Sequence, residues 1–579
     1  MGISRHSEID NDVLPVAQLQ DLRIAEASSS QLIEALAWKM QQGESMSPMH
    51  SLILDPTMQL QHIEHTFLSA SQAARTALNA ASPIHRLPAE MLTAIFLFVP
   101  KKHEDWRGRR DLFLYILKLA HVCRHWRAVA TGIPRLWTHI SQTLPYPAQA
   151  MLVERSGNAP LTIGLRGKLP NALLASLLQH QPEHHRVVDV RWDDVNLADA
   201  APHLTPASSL ETLTLAGDDP IASFRRGFQN VPPITLFDHG QSTSLRVLFL
   251  KDVDLLPADR FPNLTSLCIQ GLNILYFPAK TPLVRLLIST PHLVNLMLIS
   301  TAPRIVHGST GLWQNRLPAG TRANLPALRR CVFRGLNQWE INYFLLLMPL
   351  SPAVAISIGG VLGGFRLLRE IVPNLPLLPQ MTKFATRSVA YKVVEVIATG
   401  PVSGIRIEIE DDPDSHKVPL WHVSLRGVME RFPCEQIQEL WLMYWPIPGL
   451  RTLEWFLECM TNVEALTVAD KYLRMCIEAL ASRSGSGTLA CGRLRNLRII
   501  LGEYDAKSAL GLLAPYASLL NGVDIILSCV PAPAPGRETG NTDLEELFTT
   551  ITYQYLPERP RIEIPAICEA DFMGWSAWA

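Results

Sequence analysis

A short apolar pattern recurs along this chain between Leu210 and Ile499. Each copy has an apolar residue, two variable residues, a second apolar residue, one variable residue and a third apolar residue. Apart from one wider gap, neighbouring copies are separated by intervals that run from 19 residues (Leu245 to Leu264) to 35 residues (Leu293 to Leu328). Three copies follow a related phrase: FPNL at 261–264, TPHL at 290–293 and LPAL at 325–328. The nine copies begin at Leu210, Leu245, Leu264, Leu293, Leu328, Val402, Ile437, Val463 and Leu494.

This pattern predicts a stack of short strands. Alternate side chains of a strand point to one face, so the second and third apolar residues of each copy, which are two positions apart, are expected to enter a core. A single unit cannot bury its apolar face, and stacked units with returning helices or loops can. We therefore predict a parallel α/β solenoid over residues 141–579. The alternative is an α/β domain without repeats.

A second informative segment spans residues 82–140. Pro88 after Leu87 suits the first turn of a helix, and Glu90 favours the positive end of the helix dipole. Apolar residues then recur at helical spacing in two stripes. The first stripe is Leu92, Ile95, Phe96 and Val99, and the second is Ile116, Leu119, Cys123, Trp126 and Ala130. So short a segment cannot bury both stripes by itself, so some of its apolar surface needs either a neighbouring part of the chain or a partner.

The amino-acid sequence of this segment resembles the F-box of fungal, mushroom-type F-box proteins. The resemblance rests on LPAEML (87–92), VCRHWR (122–127) and PRLW (134–137), and it continues into MLVERSGNAPLTI (151–163). A charged insertion, KKHEDWRGRRD (101–111), departs from the compact motif. The repeats lack the regular asparagine and resemble the degenerate leucine-rich repeats of the same proteins.

The resemblance implies that the segment docks on the Skp adaptor of a cullin-based ubiquitin ligase while the rest of the chain holds a protein substrate. The positions that match adaptor-facing residues are Leu87, Pro88, Leu92, Ile95, Phe96, Leu119, Val122, Cys123 and Trp126. Trp126 and Trp137 are expected to brace the segment internally. The alternative is a helical hairpin whose two stripes form its own core.

Composition excludes several other classes of protein. Basic and acidic residues number 52 and 53, so no nucleic-acid or acidic-membrane footprint is expected. The nine cysteines include no C-x-x-C pair, which favours reduced thiols in the cytoplasm or nucleus over a disulfide framework or a zinc site. The polar N-terminus is not typical of a signal peptide.

Residues 343–365 carry no charge and are long enough to span a bilayer. Pro349 and Pro352 interrupt a helix, however, and four glycines follow. We predict a buried turn, a strand over 354–358 and a loop, with a membrane span as the alternative.

The N-terminal region, residues 1–81, is predicted to be helical. A longer helix beginning at Asp55 and Pro56 has a seam of Leu60, Ile63, Phe67, Ala70, Ala74 and Ala77. This helix is expected to pack against the F-box-like segment, with self-association as the alternative. Pro531–Gly536 (PAPAPG) predicts an extended loop, followed by a helix over 543–550.

No pattern for catalysis, a cofactor or a metal is found. The pairs His62/His65 and His121/His125 lack a third ligand nearby, and the glycines at 359–364 match no phosphate-binding motif. We therefore expect a protein without an active site.

The predicted architecture is α+β and multidomain: an N-terminal helical region (1–81), an F-box (82–140) and a repeat domain (141–579). The expected function is substrate recognition for a Skp-cullin-F-box ligase, with a protein-binding scaffold that recruits no ligase as the alternative. Positions between the core residues should line the concave side of the strand ladder. The large apolar ones, Phe249, Met297 and Trp441, are the candidate substrate face, unless a neighbouring helix or the C-terminal tail covers them.

Overall fold

The protein is described by a computed structural model. The described residues are 56–98, 109–167, 169–180, 187–205, 209–217, 234–253, 255–271, 281–300, 322–336, 338–361, 375–390, 393–410, 432–443, 450–482, 489–502, 505–529, 542–556 and 560–569. The chain divides into two compact units, Met1–Leu87 and Pro88–Ala579. The second unit therefore contains the F-box-like helices and the strand-rich region together. The division of the chain into three domains stays a prediction.

The described part of the first unit contains one long helix, α1 (Pro56–Ala81), followed by a 3₁₀ turn at Pro83–Arg86. The helix begins at the proline that the sequence indicates, since a first-turn proline lacks only an N–H that has no helical partner. Ile63 and Phe67 of its apolar seam are exposed. Packing of this helix on a neighbour and its self-association both stay predictions. The sequence also predicts a short helical piece with an apolar stripe of Leu32, Ile33, Leu36 and Met40, and these residues lie outside the described part of the chain.

The second unit begins with three helices, α2 (Ala89–Phe98), α3 (Arg109–Val122) and α4 (Arg124–Thr131), and a 3₁₀ turn at Pro134–Leu136. Ten further helices are described after them. They are α5 (Tyr146–Ser156), α6 (Ala172–His180), α7 (Leu197–Leu204), α8 (Thr281–Ile288), α9 (Gln338–Leu347), α10 (Leu450–Cys459), α11 (Asp470–Leu480), α12 (Ala506–Leu513), α13 (Thr542–Glu545) and α14 (Ala566–Glu569).

The described strands of this unit form one sheet of 17 members. They are β1 (His139–Ser141), β2 (Leu161–Arg166), β3 (Val187–Asp193), β4 (Thr212–Ala216), β5 (Val247–Lys251), β6 (Ser266–Gln270), β7 (Asn295–Ile299), β8 (Arg330–Arg334), β9 (Ala355–Val361), β10 (Lys383–Ala390), β11 (Val393–Thr399), β12 (Gly404–Glu410), β13 (Glu439–Leu442), β14 (Ala465–Ala469), β15 (Asn496–Leu501), β16 (Asp524–Cys529) and β17 (Thr550–Tyr555). The spatial order is β1 to β9, then β12, β11 and β10, then β13 to β17.

Neighbouring strands are parallel except at β11, which runs antiparallel to both β10 and β12. The prediction of parallel strands is therefore right for most of the sheet and wrong here. Only residues 400–403 connect β11 to β12, and a parallel crossover needs a dozen residues or more. The copy of the pattern at Val402 consequently lies on a hairpin, although β12 is parallel to β9 on its other side.

One face of the sheet, the leucine face, carries the predicted core positions. Equivalent leucines stand opposite each other on successive strands, as in the run from Leu213 through Leu248 and Leu267 to Leu296. Leu440 and Leu497 occupy the same row beyond the hairpin, and all six side chains are almost fully buried. The prediction that these residues enter one core on parallel strands is confirmed.

The related phrases before β6, β7 and β8 form the same turn. In each one the amide of the final leucine donates to the carbonyl three residues earlier: Leu264 to Phe261, Leu293 to Thr290 and Leu328 to Leu325. The next amide then donates to the corresponding carbonyl of the preceding copy, at 2.8 Å from Val294 to Thr265 and from Arg329 to Val294. The phrase therefore sets the register between neighbouring strands.

Two other predictions have mixed outcomes. The uncharged stretch at 343–365 contains the end of α9 and strand β9, as predicted for a buried strand, and its last residues lie outside the described part. Among the described residues no helix is long and apolar enough to cross a membrane. The helix predicted over 543–550 is wrong in extent, because α13 ends at Glu545 and β17 begins at Thr550. The PAPAPG stretch lies outside the described residues.

Candidate partner-binding surfaces

The second apolar stripe of the F-box-like segment is divided between two helices. Helix α3 ends at Val122, and Cys123 adopts an extended conformation with φ −159° and ψ 174°. Cys123 is the N-cap of α4, since its Sγ accepts the amide N–H of Trp126 at 3.4 Å. The spacing that predicts one continuous helical face over 116–130 is therefore wrong at this cap.

Side-chain contacts hold these helices together. The rings of Phe96 on α2 and Trp126 on α4 have centroids 5.0 Å apart, and Phe96 and Leu92 are fully buried. Arg127 Nε donates to the carbonyl of Ala120 at 2.9 Å, which satisfies a carbonyl near the end of α3. The three helices thus enclose a small core of their own.

The segment continues directly into the sheet. Buried Trp137 donates from Nε1 to the carbonyl of Ala130 at 2.9 Å, and β1 follows within two residues. Strand β1 pairs in parallel with β2, and helix α3 contacts β1. The boundary predicted at residue 140 therefore falls inside a strand, and no linker separates the F-box-like helices from the sheet.

Part of the apolar surface of these helices stays exposed. Met91, Ile95 and Phe98 follow each other at spacings of four and three on α2, and their exposed fractions are 53%, 37% and 61%. Leu114 and Val122 of α3 are also large, apolar and exposed. We call these five residues the exposed apolar set. Exposed apolar groups spaced along one helical face indicate a contact with a partner.

The residues predicted to face the adaptor differ in exposure. Leu92, Phe96 and Leu119 are buried, Leu87, Cys123 and Trp126 are half-buried, and Pro88, Ile95 and Val122 are exposed. Sequence reasoning missed Met91, Phe98 and Leu114. For Met91 and Phe98 the available signal was the mostly apolar segment AEMLTAIFLF (89–98), since a helix that is apolar around most of its surface is typically covered on more than one face.

The other face of the sheet, here called the second face, carries the candidate substrate residues. Phe249, Cys268, Met297 and Val332 stand opposite each other on β5 to β8, and Trp441 lies in the same row on β13. Phe249 is half-buried, but Met297 and Trp441 are each only 3% exposed. The expectation that these two side chains are free for a substrate is therefore not met.

Residues 560–569, which we call the covering segment, account for this burial. Ile562 and Cys568 belong to one apolar cluster with Cys268, Met297 and Trp441, and Ile564 and Ile567 pack against it. Phe249 also packs against this cluster. The C-terminal part of the described chain thus covers the middle of the second face, which is the alternative that the sequence left open.

Polar contacts with β10 and β8 help to hold the covering segment. Lys383 Nζ on β10 lies 2.9 Å from Oε2 of Glu563 and 3.2 Å from Oε2 of Glu439. Arg330 Nε on β8 donates to the carbonyl of Ile567 at 2.8 Å. Burial lowers the pKa of Lys383, but its hydrogen bonds to Glu563 and Glu439 outweigh this and the pKa lies above its ordinary value.

A buried ionic cluster lies beside this site on the hairpin strands. Glu395 of β11 is fully buried and accepts from Arg387 of β10 and Arg406 of β12. Arg406 also contacts Glu408 at 2.8 Å. The carboxylate and guanidinium groups of this cluster pair with each other, so the cluster is a structural element of the sheet. Across the described ranges no three His, Cys, Asp or Glu side chains are arranged to hold a metal ion.

Comparison with known proteins identifies the helical segment. Residues 84–143 match the family described as F-box-like, and these residues include α2, α3, α4 and the start of the sheet. No curated protein matches the chain. The family match at residues 84–143 shows that the chain contains an F-box-like domain, which supports its assignment as an F-box protein.

Proposed function

We propose that this chain is the substrate-recognition subunit of a Skp-cullin-F-box ubiquitin ligase. The observation that carries the proposal is the exposed apolar set on α2 and α3, within the segment that matches the F-box-like family. F-box domains generally bind Skp adaptors, and apolar side chains on a helical face are suited to such a surface.

In this proposal the chain performs no chemistry itself. The F-box-like helices bind the adaptor, and the sheet binds a protein substrate. Because β1 joins the helices to the sheet without a linker, a bound substrate is held at a defined position relative to the ligase. Ubiquitin transfer is then accelerated by proximity. The described residues include all nine cysteines and none is joined in a disulfide, which fits function in the cytoplasm or nucleus.

Binding of the full-length chain to a purified Skp adaptor tests the proposal. Ile95→Asp combined with Phe98→Asp should reduce affinity by at least about tenfold, because each charge must be desolvated against an apolar partner. Leu346→Asp, at a similarly exposed position on α9, is the matched control and should bind like the wild type.

Unchanged binding by the Ile95/Phe98 variant would contradict the proposed surface. If the folded wild-type chain binds no Skp adaptor at all, the ligase function is wrong and the chain is a protein-binding scaffold.

A further inference from the structure

The covering segment occupies the surface that the repeat pattern offers to a partner. Its apolar residues Ile562 and Cys568 are buried against the row that contains Met297 and Trp441. On either side of this covered part the row is less buried, since Thr214 on β4 and Ile526 on β16 are half-buried and Thr552 on β17 is exposed. The second face is thus closed in its middle, where the covering segment lies.

The covering segment crosses the strands and does not extend the sheet. One end contacts Arg330 on β8 and the other contacts Lys383 on β10, and these strands are separated by β9, β12 and β11. Within the described chain, residues 560–565 pair with no strand. Side chains and one carbonyl therefore hold the segment, and it lacks the ladder of backbone hydrogen bonds that fixes a strand.

The sheet supplies these contacts from residues that are themselves positioned. Trp441 Nε1 donates to Oε1 of Glu439 at 2.6 Å, and Oε2 of Glu439 lies 3.2 Å from Lys383 Nζ. Arg330 is oriented by Asn295, whose Oδ1 is 3.3 Å from its NH1. At these two contacts the second face presents the ammonium group of Lys383 to a carboxylate and the guanidinium group of Arg330 to a backbone carbonyl, with an apolar floor between them.

We propose that the second face is a docking site for a short acidic and apolar segment of a partner protein, and that residues 560–569 fill this site in cis until the partner displaces them. The inference rests on the proposed function in that it takes the sheet to be the substrate-binding part. The partner segment carries a carboxylate for Lys383, a main-chain carbonyl for Arg330 and apolar side chains at the places of Ile562 and Cys568.

A partner can displace the covering segment only if that segment is weakly attached to the second face. Glu563 is 90% exposed on its side chain, so its ion pair with Lys383 faces solvent and contributes little by itself. The segment nevertheless competes well, because a tethered ligand has an effective concentration in the millimolar range. A partner that binds the uncovered second face at micromolar concentration would be excluded until its local concentration rises.

The first experiment cuts the chain between the sheet and the covering segment and leaves the amino-acid sequence of both parts unchanged. A recognition sequence for a site-specific protease is inserted directly after Leu556 in the full-length chain, and the folded protein is cleaved. A fluorescent peptide of residues 560–569, kept reduced, is then added and its anisotropy is measured. Cleaved protein should bind the peptide at least about tenfold more tightly than uncleaved protein, since cleavage removes the tethered competitor.

A charge exchange tests the site itself. In the cleaved protein, Lys383→Glu should weaken the peptide at least about fivefold, and a peptide with Glu563→Lys should recover binding to that variant. Lys507→Glu, at an exposed position on α12, is the matched control and should leave both peptides unaffected. Retention of secondary structure by circular dichroism shows that each variant is folded.

Two results would overturn the proposal. Cleaved protein that keeps its fragment through dilution and gel filtration, and binds no added peptide, would make the segment a permanent part of the core. Unfolding of the cleaved protein would likewise make the segment part of the core. Binding of the Skp adaptor is measured in parallel: its loss alone contradicts the ligase function, and failure of peptide exchange alone contradicts only the docking site.

Discussion

The Phe96 ring lies 5.0 Å from the Trp126 ring, with an angle of 56° between the planes. This contact joins α2 to α4 across the interior of the F-box-like domain and directs Phe96 away from solvent. Phe98, two residues later on the same helix, is 61% exposed. Two phenylalanines of one short helix therefore have different roles, one in the core and one on the surface.

Replacing Phe96 by Ala should lower the free energy of unfolding of this unit by about 3–5 kcal/mol, the range for a large aromatic removed from a core. Phe98→Ala, the matched control, should change stability by about 0.5 kcal/mol or less. Urea denaturation followed by tryptophan fluorescence measures both. Equal losses from the two variants would contradict the assignment of Phe96 to the core.

Glu395→Gln should destabilise the hairpin strands. The carboxylate is fully buried between Arg387 and Arg406, and its neutralisation leaves guanidinium charge without that partner. Breaking a buried pair typically costs about 3–5 kcal/mol. The exposed pair Arg474–Glu478 provides the control, since Glu478→Gln should change stability by under about 0.5 kcal/mol. A Glu395 variant as stable as this control would show that the cluster adds no stability.

Gly335→Ala should lower the melting temperature. Gly335 follows β8 with φ +66°, and an added Cβ would lie 2.5 Å from the carbonyl oxygen of Ser300. Left-handed backbone in a residue other than glycine costs about 1–3 kcal/mol, and the overlap with a backbone atom adds to this. Gly511→Ala is the control, because this glycine is inside α12 with open space around it. That change should stabilise the protein by about 0.5–1 kcal/mol.

Most thiols should resist alkylation in the native protein. Burial raises the pKa of Cys268, Cys476 and Cys491 to about 12. These thiols therefore stay protonated at pH 8.5, and they react slowly because the thiolate is the form that is alkylated. Half-exposed Cys123 and Cys459 should react first with iodoacetamide, and all nine cysteines should react in denaturant. Mass spectrometry gives the order. Rapid native labelling of Cys268 would show that the second face is open.

Local pattern was sufficient for the regular parts of the sheet. Leu264, Leu293 and Leu328 were found from a four-residue phrase, and each one closes the same short turn and is buried. The row containing Met297 and Trp441 followed from alternation alone, because side chains alternate between the two faces of a strand. These features depend on residues close together in the chain.

Two features of the F-box-like domain show the limit of such patterns. The spacing of Leu119, Cys123 and Trp126 matches a single helix, but Cys123 caps a new one. Cysteine is not among the usual capping residues, so the sequence around Cys123 gave no indication that one helix ends there and another begins. In α2 nearly every position is apolar, and only the packing of Phe96 on Trp126 decides that Ile95 and Phe98 remain exposed.

The sequence by itself determined successive strands with one apolar face, because these depend on short-range alternation and on a repeated turn. The F-box-like segment was indicated by its resemblance to a known motif. Tertiary structure alone decided that β11 runs against its neighbours and that residues 560–569 cover Met297 and Trp441. Arg330 and Ile567 are 237 residues apart in the chain, and no local pattern encodes a contact at that separation. Whether an apolar position faces a core or a partner depends on such distant segments.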